Sequence, residues 1–367
     1  MNVAIIGTRG IPNNYGGFEQ FAEYLSVGLV TKGHDVTVYS SDKHLYKKDK
    51  YKGVRIIHKK DLEDRLGTAG QFIYDLNCII DSRKRHFDVI LNLGYTSSSI
   101  WMRLFPKSSI VITNMDGLEW KRTKFSKSVQ KFLLFAEKLA VRHSDYLVSD
   151  SKAIQSYLMQ KYKIDSEFIA YGATVFNNPD FELIQKYNLK KHEYSLLIAR
   201  IEPENNIEMI LDGVNQSQNQ ELFFVIGNPS NKFGLYLQDK YKEDKRIRFL
   251  GPIYDIEMLN NLRYFSKYYF HGHSVGGTNP SLLEAMACNS LIAAHKNPFN
   301  ESVLYENAIY FSDSEEVKNI MEKNYENSRM MYSENNIQKI KRQYSWEFII
   351  DEYERYMINK GSIPKSV

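Results

Sequence analysis

The chain is poor in cysteine and proline and has no long apolar run. Its 2 cysteines in 367 residues, Cys78 and Cys288, lack metal-knuckle spacing and allow at most one bridge, which fits a reducing, cytoplasmic setting. With 9 prolines and 20 glycines, collagen-like and low-complexity classes are excluded. No stretch approaches the roughly 18–20 apolar residues of a membrane span, and the opening MNVAIIGTRG has no basic leader, so it reads as a strand and not a secretory signal. Charge of one sign is missing too. The 48 basic and 44 acidic residues leave +4, too small an excess to argue for nucleic acid. No Asp-x-Asp pair occurs, which weakens a metal-bridged nucleotide, and no metal site is expected.

What remains is an ordinary globular composition, 43% hydrophobic and 25% charged. The length gives a prior of two domains. Short aliphatic runs recur: VAIIG (3–7), VTVYS (36–40), VRIIH (54–58), DVILNLG (88–94), SIVITNMDG (109–117) and DYLVSDS (145–151). Amphipathic stretches such as 19–32 and 70–84 lie between them. Continuous apolar strands alternating with helices predict a parallel sheet covered on both faces.

The pattern restarts with SLLIARI (195–201), LFFVIGN (222–228), IRFLG (247–251), YYFHGH (268–273), LIAAH (291–295) and AIYFSD (308–313). The fold class expected is therefore α/β, with two Rossmann-like doubly wound domains facing one cleft. The polar segment around 177–191 suggests the boundaries: residues 1–186 for the first domain and 187–344 for the second. Residues 345–367 form a terminal helix on the first, through Trp346, Ile349, Ile350, Tyr353, Tyr356 and Met357. Open α/β sheets bind ligands at the carboxyl ends of their strands, so the loops there are where chemistry is sought.

Four loops qualify. GTRGIPNNYGGFEQF (7–21) follows the first strand. Its glycines and the coming helix N-terminus suit an anion, but the spacing matches neither a dinucleotide fingerprint nor a P-loop, and a purely structural turn is the alternative. ARIEPENNIE (199–208) places Arg200 at a strand end, where it can fork onto a diphosphate or bridge Glu202 or Glu204. HGHSVGGTNPSLLEAMA (271–287) opens a helix with Gly276, Gly277, Thr278, Asn279 and Ser281 around a second anion cradle. Glu284 stands one turn in, as an acceptor for sugar hydroxyls. TNMDGLEWKRTKFS (113–126) offers Asp116 and Glu119 to an acceptor hydroxyl, and Lys121 and Arg122 to an acceptor phosphate. Beyond it, 124–143 reads as a basic amphipathic helix, either packed on the core or laid on an anionic bilayer.

With these motifs in this order, nearly the whole chain resembles GT-B glycosyltransferases of the retaining family-4 type, and more narrowly the bacterial rhamnosyltransferases of capsule and cell-wall polysaccharide assembly. The resemblance implies a nucleotide-sugar donor with no further cofactor, dTDP-rhamnose in the narrow reading, and a lipid-linked saccharide acceptor at the inner membrane face. It implies catalytic roles for Arg200, Asp116 and Glu284. Donor contacts fall to Gly16, Gly17, Arg9, Glu202, Asn205, His273, Gly276, Gly277, Thr278, Asn279 and Ser281, and acceptor contacts to Glu19, Glu119 and Lys121.

Two departures stand out. Asn205 occupies the position of the family's phosphate-binding lysine, leaving Arg9 or Lys121 as substitutes, and Gly276 occupies that of its first glutamate. A UDP-glucose or GDP-mannose enzyme, and a non-catalytic nucleotide-sugar-binding protein, share the same pattern.

Overall fold

The computed structural model describes residues 1–14 and 16–361. Tyr15 of the opening loop, and residues 362–367 of the expected terminal helix, lie outside the described residues. The chain divides into two compact units. Unit 1 takes Met1–Trp120, Ser126–Gly172 and the C-terminal segment from Trp346; unit 2 takes Lys121–Phe125 and Ala173–Ser345. The division thus falls at 172/173, ahead of the polar segment where the sequence suggests a join. That segment instead starts a short 3-10 helix, Phe181–Tyr187, which docks in unit 2 through Phe181 against Phe265.

Unit 1 is built on a sheet of order β3-β4-β2-β1-β5-β6-β7-β8. In chain order these are β1 Asn2–Ile6, β2 Asp35–Ser41, β3 Lys50–Tyr51, β4 Val54–Lys59, β5 Val89–Leu93, β6 Ile110–Met115, β7 Tyr146–Ser149 and β8 Glu167–Phe168. All pairings are parallel apart from the β3–β4 hairpin. The central strands are aliphatic and buried on both faces, as a helix-covered parallel sheet requires. Strand order reverses between β1 and β5. Gly7 ends β1 there with φ +91, and a Cβ on it would lie 2.2 Å from the Leu93 carbonyl oxygen. Only glycine can make that turn.

The helix Gly17–Thr31 buries Phe21, Ala22, Leu25 and Leu29 at helical spacing. The terminal helix Trp346–Gly361 lies across it. Gly28 leaves room for Ile350, Phe21 meets Tyr353 edge-on, and Lys32 and His34 pair with Glu354.

Unit 2 has a parallel sheet of order β11-β10-β9-β12-β13-β14. Its strands are β9 Tyr194–Ile198, β10 Leu222–Ile226, β11 Ile247–Gly251, β12 Tyr269–His271, β13 Ile292–His295 and β14 Ile309–Phe311. Its core gathers Leu197, Phe223, Val225, Phe270, Ala293 and Phe311 from the sheet with Ile207, Ile210, Leu211 and Val214 from one covering helix. The order reverses between β9 and β12, and the loops after these two strands are the expected ligand site of a doubly wound sheet.

Candidate functional site

In unit 2 the loops after β9 and β12 are knitted together. Asn206, in the left-handed region, donates from Nδ2 to the Gly272 carbonyl at 2.7 Å. The amide and hydroxyl of Ser274 both donate to the Glu204 carbonyl, at 3.2 and 2.8 Å. The ARIEPENN and HGHSVGG segments, 70 residues apart at that contact, therefore form one rim. Arg200 stands on it, exposed. Among the described residues its guanidinium makes no ion pair, and the two carboxylates of the following turn face other cations. Glu202 faces Lys124, and Glu204 faces Arg122, each at 3.5 Å.

Asn205 does not substitute for a cation: it is buried, and its Nδ2 donates to the Arg200 carbonyl at 2.7 Å. It shapes the turn that presents Arg200. Gly276 has φ +133 with nothing within 4 Å of a built Cβ. Its presence is thus a backbone requirement of the loop, in a region that L side chains rarely adopt.

Gly277 leads into the helix Pro280–Ala287. Asn279 caps this helix by accepting from the Ser281 amide at 2.9 Å, and proline follows at the first position. Asn279 and Ser281 were expected to meet the donor, yet their side chains serve the helix and its support. The Ser281 hydroxyl lies 2.7 Å from that of Tyr269, and Thr278 is buried. What the loop offers an anion is the helix end itself.

Glu284 is held by Arg263, whose Nη2 donates to Oε2 at 2.5 Å from a side chain only 1% exposed. The buried guanidinium also reaches Ser281 and Asn260, so it fixes both the carboxylate and the helix start.

His271 and His273 stack with ring centroids 4.4 Å apart. Burial, then the charges of Arg200 and Arg122, lowers His273 to about 3. Burial, with the neighbouring His273 and His295, pushes His271 well below the usual imidazole value. Both rings are neutral in the physiological range. Among the described residues no group of three or more His, Cys, Asp or Glu converges in a metal-ligand arrangement.

In unit 1 the same topological position lies at the ends of β1, β5 and β6. A Cβ on Gly94 would stand 3.3 Å from the Phe18 ring and 3.8 Å from Asp116 Oδ1. Asp116 and the helix start at Gly16–Gly17 therefore share one corner. Gly16 caps that helix without a side-chain acceptor. The loop carrying Asp116 is tied down by Tyr95, which donates to the Gly117 carbonyl at 2.9 Å. Trp120, next to Glu119, is tied by its indole N–H to Glu137 at 3.1 Å.

Two expectations need correction. Glu19 was expected at the acceptor, but it is 3% exposed and its Oε1 accepts from the Arg9 amide at 2.9 Å and the Thr8 hydroxyl at 3.3 Å. It braces the loop that precedes its own helix. Arg9 was expected at the donor phosphate, but it forks onto Glu63, with Nε and Nη2 donating at 3.0 and 2.7 Å. Its charge is matched within unit 1. Lys121 is exposed and packs with unit 2.

Sequence reasoning missed Arg263, Glu63 and the Arg122–Glu204 contact. Each pair joins residues 21 to 82 positions apart, with no local spacing to mark it.

Two doubly wound parallel sheets with this strand order define the GT-B fold. Residues 180–340 match the model of glycosyl transferases group 1, and residues 1–174 match that of a domain of unknown function, DUF1972. An uncharacterized glycosyltransferase of Methanocaldococcus jannaschii is 24% identical over 237 residues, 59% of this chain and 59% of that protein. The alignment thus spans less than two thirds of that relative.

Sucrose-phosphate synthase from Thermosynechococcus elongatus superposes with a TM-score of 0.81 at 16% identity, covering 98% of both chains. HepE from Anabaena, solved in complex with UDP and glucose, gives 0.75 at 14% identity over 97% of this chain and 99% of that one. The matched domain and the fold together support a GT-B glycosyltransferase.

Proposed function

We propose that the protein is a retaining glycosyltransferase that moves a sugar, L-rhamnose from dTDP-rhamnose, to a lipid-linked saccharide in surface polysaccharide assembly. The observation that carries the transferase reading is the rim of unit 2, where Arg200, exposed and without an ion pair among the described residues, shares the rim with a glycine loop that runs into a helix N-terminus. A departing nucleoside diphosphate needs pre-placed positive charge, and both elements are set before substrate arrives.

Cleavage of the anomeric C–O bond leaves an oxocarbenium-like centre. The diphosphate oxygens, held by Arg200 and the helix start, take the acceptor proton as the new bond forms on the same face. Glu284, aligned by Arg263, accepts from the nucleotide ribose. HepE is described with UDP and glucose, so UDP-glucose is the competing donor.

A lipid-linked acceptor is consistent with the helix Lys127–His143. Its exposed face carries Lys127, Lys131, Phe135, Lys138 and Arg142, and its only acid, Glu137, is buried. No helix among the described residues is long and apolar enough to cross a membrane, so on this reading the contact is made from the surface.

The test is a donor panel of dTDP-rhamnose, UDP-glucose and GDP-mannose, read by thermal stabilisation and by transfer of labelled sugar to extracted lipid-linked acceptors. dTDP-rhamnose should raise the melting temperature and be consumed. Arg200→Ala should keep its fold and lose about 10²–10³-fold in turnover, the cost of removing one pre-placed charge-stabilising group. Full turnover in that variant sinks the site, and stabilisation by UDP-glucose alone sinks rhamnose.

A further inference from the structure

The chain leaves β12 with three rings on one face. Tyr269, His271 and His273 alternate with Phe270 and Gly272, so their side chains project to the same side. The His271 ring stacks on both of the others, with centroids 6.3 Å from Tyr269 and 4.4 Å from His273. His271 is 1% exposed, and neither of its nitrogens has a hydrogen-bond partner among the described residues. It acts as a flat backing for His273.

His273 itself is half-buried at the rim of unit 2, and its backbone is pinned. Its carbonyl accepts from Asn297 Nδ2 at 3.0 Å and from Asn300 Nδ2 at 3.1 Å. Before it, a Cβ on Gly272 would lie 2.1 Å from the Asn205 carbonyl oxygen. After it, Ser274 is bonded to the Glu204 carbonyl. The ring is therefore set in one place, where the Arg200 turn meets the glycine loop. Its Nδ1 is enclosed without a partner among the described residues, which leaves Nε2 as the nitrogen on the open side. In the segment 272–277 the Ser274 hydroxyl is engaged by Glu204, and the glycines and Val275 bring no polar side chain. Hydrogen-bonding capacity in that segment thus rests with His273, and a native polar group left unsatisfied in this way calls for a reason.

We infer that the His273 imidazole recognises a hydroxyl of the transferred sugar and so takes part in selecting the donor. The inference rests on the glycosyltransferase reading above. A neutral imidazole has one N–H and one lone pair, and a hydroxyl both donates and accepts. A hydroxyl therefore meets Nε2 in either tautomer, whereas a phosphate oxygen meets only a nitrogen that carries hydrogen. Phosphate is better matched by the charge of Arg200 and by the helix start. In the same reading the ribose goes to Glu284, beyond the helix start. His273 precedes the glycine loop, so the group it meets is the one on the other side of the diphosphate. Held by its stack and its backbone, the ring has little freedom left to lose on binding.

The decisive variant is His273→Phe, which keeps a flat ring against His271 and removes both nitrogens. The enclosed Nδ1 becomes carbon, so the variant should melt no lower than wild type in scanning calorimetry. Calorimetric titration then compares wild type, His273→Phe and His273→Gln with dTDP-rhamnose, UDP-glucose and GDP-mannose, and with dTDP, UDP and GDP. For the nucleotide sugar that wild type takes up, His273→Phe should bind about three- to tenfold more weakly, the range of one neutral hydrogen bond. Its affinity for the matching diphosphate should change by less than about twofold. His273→Gln, which restores a donor and an acceptor, should recover part of the loss.

A His273→Phe variant that binds the nucleotide sugar as tightly as wild type overturns the inference and leaves the transferase reading standing. So does one that loses the diphosphate to the same degree as the nucleotide sugar, because the imidazole then serves the phosphates. Wild-type protein that takes up none of the three nucleotide sugars overturns both.

Discussion

At the scale of single residues, the unit 2 site is made of groups whose partners are fixed by the backbone as much as by chemistry. Gly276 is the clearest case. With φ +133 and open space beyond its Cα, an added Cβ meets backbone strain and no clash, at a cost on the order of 1–3 kcal/mol. Gly276→Glu and Gly276→Ala should therefore lower the melting temperature by the same few degrees, and the glutamate should bring no gain in donor affinity. A fully stable Gly276→Ala in scanning calorimetry would show that the loop does not need glycine.

The strand end before Arg200 and the start of the helix that carries Glu284 were legible in the sequence because such boundaries announce themselves by composition. What each side chain touches was not. Glu284 depends on Arg263 of a preceding helix, and Arg9 on Glu63. Such pairs are set by how the elements pack.

At the scale of elements, the strands of the two sheets were legible because parallel strands buried on both faces are continuous apolar runs. Lys50–Tyr51 and Glu167–Phe168 escaped, each being two residues long without a hydrophobic pattern. The helix Lys127–His143 was found, but its buried seam includes Glu137. That carboxylate is satisfied by Tyr157, Tyr162, Lys161 and the Trp120 indole, an arrangement no apolar periodicity predicts.

Turning Glu137 inward leaves the outer face purely basic around Phe135, which is 53% exposed. Basic residues near an anionic surface contribute about 1 kcal/mol each. Wild type should therefore sediment with phosphatidylglycerol vesicles and not with phosphatidylcholine, and added salt should release it. The variant Lys131→Glu/Lys138→Glu should bind at least tenfold more weakly. Equal sedimentation of variant and wild type would remove the membrane contact from the proposed function.

At the scale of the whole molecule, the two units carry buried titratable groups of opposite sign, so their stabilities should respond to pH in opposite directions. In unit 1 burial raises Asp75 to about 7, with Asp61 adding to the rise and the Ser97 hydroxyl, 2.6 Å away, opposing it. The unfolded carboxyl titrates near 3.9. Between about pH 4 and pH 7 the folded chain thus holds a proton that the unfolded chain has lost. Stability falls across that window, by at most about 1.4 kcal/mol per pH unit, and levels off above it.

In unit 2, His271 and His273 are depressed below the ordinary value of 6.5. The unfolded chain binds their protons first as pH falls, so unit 2 loses stability below about 6.5.

The two effects can be separated by fluorescence, since Trp101, Trp120 and Trp346, the chain's 3 tryptophans, all fall in unit 1. Urea unfolding followed by tryptophan emission should give a midpoint that drops from pH 5 to pH 7.5. Asp75→Asn, which keeps a partner for Ser97 without an ionisable proton, should flatten that dependence and exceed wild type at pH 7.5. A variant whose midpoint tracks wild type at both pH values would mean that Asp75 is ionised in the folded chain and that its burial carries no pH-dependent cost.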